Sequence, residues 1–141
     1  MNIQLMCIKS GIPLWVSCYP SSSKDTDTLI SGFLSAVNTF AQETAGNTIS
    51  TMTVGDTLWS FTSLFHLDDF FLASKIDLSA VDDARKYQIK LNEQLVSDIV
   101  NTFQKTYPRE IFMNTAFDSS SFADFQSLVD SKIQDVVSIL N

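Results

Sequence analysis

The chain has 141 residues, 45% of them hydrophobic, which is the ordinary size of one domain and enough to bury a core. Its formal net charge of -7, with nine Lys and Arg against sixteen Asp and Glu, argues against nucleic acid or anionic lipid as a ligand, because neutralising phosphates takes clustered basic side chains. The opening "MNIQLMCIKSG" has no basic segment leading into a long apolar run, and no apolar run approaches the roughly 18 residues of a bilayer span, so a cytoplasmic chain without direct membrane insertion is expected.

"IQLMCIKSGIPLWVSCY" reads as two strands joined at Ser10-Gly11, a pair suited to a tight hairpin. That turn sets Lys9 opposite Ile12, Cys7 opposite Leu14, Leu5 opposite Val16 and Ile3 opposite Cys18. One face then carries Ile3, Leu5, Cys7, Ile12, Leu14, Val16 and Cys18, and the other Met6, Ile8, Pro13, Trp15 and Tyr19 with Gln4 and Ser17. Both faces want cover, and Trp15 is assigned to core in preference to a ligand platform. Cys7 and Cys18 fall on one face about 13 Å apart, beyond disulfide reach, and are expected as buried, reduced thiols.

After the polar "YPSSSKDTDT", the segment "DTLISGFLSAVNTFAQETAG" has helical spacing. Leu29, Phe33, Ala36, Val37 and Phe40 form one stripe, Ile30, Leu34 and Ala41 widen it sideways, and Gly46-Asn47 ends the helix. "TISTMTVGDTLWSFTSLF" is a second hairpin around Gly55-Asp56, with Val54 opposite Thr57 and Met52 opposite Trp59. Met52, Val54, Trp59 and Phe61 lie on one face, and Ile49, Thr51, Thr53, Leu58 and Ser60 on the other.

"FFLASKID" supplies a fifth strand. Ser79 with Asp82 has the spacing of a capping box, opening a helix from about Ala80 to Thr106 whose buried side is Ala84, Tyr87, Leu91, Leu95, Ile99 and Phe103; Pro108 stops it. A last helix places Phe122, Phe125, Val129, Ile133, Val136 and Leu140 in a stripe. The order strand, strand, helix, three strands, helix, helix predicts an α+β fold: a three-layer α-β-α sandwich on a five-stranded antiparallel sheet, in one domain over residues 1–141.

Catalytic chemistry finds little to stand on. His66, the one histidine, sits beside Asp68 and Asp69 in a turn-like stretch with too few ligands for a metal and no nucleophile pointed at it. Glycines 11, 32, 46 and 55 are too dispersed for a phosphate-binding loop, and the pair Asp82-Asp83 suits a helix start. No enzyme activity, metal or cofactor is expected.

The element order, with "IQLMCIKSGIPLWVSCYP", "LISGFLSAVNTFAQE" and "ISTMTVGDTLWSF", resembles the longin-domain family across nearly the whole chain, on topology and apolar pattern. The hairpin-first order favours longin over the related roadblock arrangement, which begins with a helix. The resemblance implies a stand-alone, non-catalytic interaction module in a membrane-trafficking or small-GTPase-linked complex. Its partner would be a second copy or another longin- or roadblock-type domain, with a small GTPase as a further candidate. It also implies a contact made by the first helix and the neighbouring edge strand, here Ile30, Leu34 and Ala41 with Ile49, Thr51 and Thr53. "TISTMTV" carries no Lys or Pro to discourage pairing. The alternative is a sensor of PAS, GAF or profilin-like kind, a small-molecule-binding domain whose phenylalanines line a cavity.

Overall fold

A computed structural model describes residues 2–20, 34–39, 51–67, 69–113 and 119–140. The order is β1 (Ile3–Lys9), β2 (Ile12–Tyr19), helical residues 34–39 (α1), β3 (Thr51–Val54), β4 (Thr57–Ser63), β5 (Phe70–Asp77), α2 (Asp82–Thr106), two 3-10 turns (Arg109–Phe112 and Ser119–Phe122) and α3 (Ala123–Leu140). The five strands form one antiparallel sheet in the order β2-β1-β5-β4-β3. The fold is α+β, as the element order predicts, and β5 closes it by entering between the two hairpins.

The first hairpin turns where expected, with positive φ at both Ser10 (52°) and Gly11 (81°), the pattern of a type I′ turn. Lys9 pairs with Ile12 and Ile8 with Pro13, but Cys7 pairs with Trp15, leaving Leu14 as an additional residue. Pro13 has no N–H for a regular ladder, and a bulge beside it is where an edge strand accommodates one.

Past the bulge the expected register is corrected by one residue: Leu5 pairs with Ser17, Met6 with Val16 and Gln4 with Cys18. Trp15 therefore shares the face of Leu5 and Cys7, and Leu14 enters the same core cluster beside it. Val16 moves to the other face with Met6 and Ile8. The cysteines are corrected too. Neither is in a disulfide, yet they lie on opposite faces, with Cys7 buried and Cys18 only half-buried.

α2 and α3 cover the Leu5 face. Leu95, Val96, Ile99, Val100 and Phe103 of α2, with Phe122, Phe125, Val129, Ile133 and Val137 before and along α3, pack on Ile3, Leu5, Cys7, Leu14, Trp15, Phe70, Leu72 and Ile76. Phe103 sits among rings, 5.1 Å from Phe125, 5.7 Å from Phe112 and 5.9 Å from Phe70 between centroids, and Trp15 joins at 5.5 Å from Phe125. Each such side chain fully buried is worth roughly 1.5–3 kcal/mol, so this cluster dominates the stability of the sheet's β2–β1–β5 half. Trp15 is core, as its sequence context suggests.

Several finer expectations are corrected. α2 begins at Asp82, not Ala80, and its N-cap position is Val81 without a side-chain cap; Ser79 Oγ instead accepts from the Val81 N–H at 3.1 Å, a local turn ahead of the helix. Ala84 and Tyr87 are exposed, because these first turns of α2 run past the packed layer. In α3 the inward position is Val137, with Val136 half-buried: the buried series 125, 129, 133, 137 advances by four at every step, so the stripe slants round the helix where the expected step to 136 would have kept it straight. Tyr107, extended ahead of Pro108, ends α2 as expected.

The other face of the sheet carries Met6, Ile8, Val16, Phe71 and Ala73 with Leu34 of α1, flanked by Met52, Trp59 and Phe61. Phe61 and Phe71 meet edge to face at 5.9 Å, and Lys75 Nζ lies 5.7 Å over the Trp59 ring. Expectations for Leu29, Phe33 and Phe40 and for the Gly46-Asn47 stop lie outside the described residues, whereas Ala36, expected in the stripe, is exposed.

Candidate functional site

The second hairpin keeps the expected register, Val54 opposite Thr57 and Met52 opposite Trp59. Gly55 has φ 61°, a conformation open to glycine and costly for a β-branched residue. In a two-residue hairpin the residues flanking the turn exchange hydrogen bonds, so the bonded positions of β3 are Val54 and Met52. The backbone N–H and C=O groups of Thr53 and Thr51 then point away from β4, along the free side of β3. Among the described residues no strand pairs there. Both threonines are exposed, and the strand contains neither Pro nor Lys and no register shift.

Between β3–β4 and α2 the layers separate. Leu5 pairs with Ser74, Ser74 with Ser60 and Ser60 with Thr51, so one row across the sheet passes from apolar to small and polar. A parallel row goes from Cys7 through Leu72 to Thr62. These short side chains do not fill the space under the helix, and a groove of about 460 Å³ remains. Leu58, Ile89, Val96 and Val100 supply its apolar walls, with Thr51, Ser60 and Thr62 on the sheet side. Asn92 also lines it, 4% exposed: Nδ2 donates to Ser74 Oγ at 3.2 Å, while Oδ1 is buried with no hydrogen-bond partner among the described residues.

Of the residues expected to form a partner surface, the three that are described, Leu34, Thr51 and Thr53, are not brought together. Thr51 and Thr53 lie on the α2 side of the sheet edge, since Thr51 lines the groove and Thr53 pairs with Leu58. Leu34 is on the opposite side, 1% exposed in the core against Met6, Ile8 and Phe71, which corrects its placement on an exposed flank. Within the described part of α1 this leucine turns inward, against a continuous apolar surface of the sheet. Ile30, Ala41 and Ile49 lie outside the described residues.

His66 is exposed in a turn whose Phe65 and His66 both have positive φ. Asp69 serves another purpose: Lys9 Nζ contacts its carboxylate at 2.6 Å, Ser10 Oγ donates to it, and the Ser10 N–H bonds its carbonyl at 2.8 Å. Partial burial pushes the Asp69 carboxyl up, but the hydrogen bonds from Lys9 and Ser10 and the Lys9 charge outweigh it and hold it below its ordinary value. This bracket ties the β1–β2 turn to the start of β5. Asp82 and Asp83 occupy the first turn of α2, where they complement its dipole.

Among the described residues no group of three or more His, Cys, Asp and Glu side chains could hold a metal ion, and no helix is long and apolar enough to cross a membrane. The groove and Asn92 escaped sequence reasoning. The available signal was a polar residue at an inward position of the series Ile89, Asn92, Val96, Val100, which runs along one helical face. Compared with known proteins, the sequence matches no family model and no curated protein.

Proposed function

We propose that this chain is a non-catalytic interaction module of longin type, acting in the cytoplasm in a membrane-trafficking or small-GTPase-linked complex, and that it pairs through β3 with a second copy or with another longin- or roadblock-type chain. The observation that carries this reading is an edge with which no described strand pairs: outward backbone groups at Thr51 and Thr53 on an exposed strand with none of the usual deterrents to pairing. Strand addition there would satisfy those groups by main-chain hydrogen bonds, and a two-fold arrangement would make the contact self-complementary.

Sedimentation of the purified chain and its Thr53→Pro variant tests this. Proline removes an outward N–H and leaves the β3–β4 bonds in place, so the expected result is a wild-type dimer and a folded, monomeric variant with unchanged circular dichroism. A wild type that stays monomeric at its highest soluble concentration counts against pairing with itself. A Thr53→Pro chain that keeps every complex of the wild type, including one with a longin-type partner, would remove β3 as the contact.

A further inference from the structure

The groove between α2 and β4–β3 is separate from any backbone pairing at the edge, because it lies on the face of the sheet. Its volume of about 460 Å³ is in the range of small-molecule pockets. A docked helix, about 10–12 Å across, would overfill it within two turns. An extended peptide lying on a sheet face would bring an N–H and a C=O with every residue and find no ladder to receive them. The walls of Leu58, Ile89, Val96 and Val100 call for an apolar body.

The polar chemistry narrows the ligand further. Among the described residues Glu93 is the only charged one on the lining, which disfavours an anion and offers no basic group to hold one. Asn92 is buried, and among the described residues its Oδ1 has no donor, an arrangement that destabilises a folded chain when nothing compensates it. Asn92 is itself on the lining, and the torsion that orients a carboxamide is broad, so its acceptor can turn to meet a donor there. Ser74 is small and its hydroxyl can serve either as donor or as acceptor, so it tolerates that turn.

We propose that this groove is a binding site for a small, uncharged, largely apolar molecule carrying a hydrogen-bond donor, with Asn92 as the group that recognises the donor. The apolar walls supply the affinity and Asn92 the selectivity.

Indole and 1-methylindole make a matched pair of probes, similar in shape and differing in the N–H. Titrating each into the isotope-labelled chain and following backbone amides by NMR, we expect shifts centred on Leu58, Ser60 and Asn92, with indole binding about fivefold more tightly than its methylated analogue, the worth of one net hydrogen bond. In Asn92→Leu that preference should vanish while 1-methylindole binds at least as well. Ser97→Trp, at an exposed groove position of α2, should abolish both titrations without unfolding the chain, and it keeps the test decisive if Asn92→Leu does not fold. Shifts elsewhere, equal binding of the two probes by the wild type, a preference that survives Asn92→Leu, or binding undiminished by Ser97→Trp would each overturn the proposal. None of these results depends on the oligomeric state, so failure here leaves the β3 contact standing.

Discussion

The two edges of the sheet are managed in opposite ways. At β2, Pro13 and the bulge at Leu14 interrupt the ladder, Leu14 and Trp15 both turn into the core, and α3 packs across the strand, with Ser17 Oγ donating to the Gln126 carbonyl at 3.4 Å. At β3, four residues run without a bulge or a proline, and Thr51 and Thr53 are exposed. One edge is thus closed by its own sequence, and the other, among the described residues, keeps its outward backbone groups unpaired. Edge protection is a local property, written separately into each terminal strand.

That contrast is sharpest in stability. Leu34→Asp should have the largest effect, on the order of 4 kcal/mol or more, because it combines loss of a buried leucine with an unpaired buried charge; urea denaturation should show a chain largely unfolded. Dissociation of a folded chain instead would return Leu34 to the surface. Trp15→Ala, at the closed edge, should cost about 3–5 kcal/mol by opening a cavity among Phe103 and Phe125. Thr53→Ala at the open edge should stay within about 0.5 kcal/mol under conditions where the chain is monomeric. Equal losses at Trp15 and Thr53 would erase the distinction between the edges.

Much of this architecture is legible in the sequence because side-chain period and turn chemistry agree. Ser10-Gly11 and Gly55-Asp56 mark both hairpins, and the second register is read without error because Thr and apolar residues alternate through it. The first goes astray after Pro13, since an additional residue in a strand changes no composition and moves every later side chain to the other face. Leu34 illustrates a second limit: a wide helical stripe tells which residues are apolar, not how far the sheet beneath extends. The groove is harder still. It arises from what Ser60, Thr62 and Ser74 do not fill, and a void depends on strands that meet only once the sheet has assembled.

A smaller effect separates the two thiols across the bulge. Cys7 is buried, and burial pushes its thiol well above the ordinary value, whereas Cys18 is half-buried. Native labelling should modify Cys18 first and Cys7 only as the chain opens; rapid labelling of Cys7 would contradict its placement. The same burial has a pH signature. The unfolded chain ionises Cys7 above about pH 8.5 while the folded chain keeps the proton, so the unfolded state binds fewer protons and stability falls as pH rises, by at most about 1.4 kcal/mol per unit. Cys7→Ala should flatten that alkaline slope while lowering stability at neutral pH. A slope unchanged by the substitution would place its origin elsewhere.

Whether β3 receives a partner strand is read from amide hydrogen exchange along β3 as the chain is taken from dilute to concentrated solution or mixed with its partner. The inward amides of Met52 and Val54 should be protected throughout by β4. The outward amides of Thr51 and Thr53 should exchange freely in the monomer and become protected on association. Outward amides already protected at the lowest concentration, or still exchanging freely within the complex, would rule out β3 as the pairing edge.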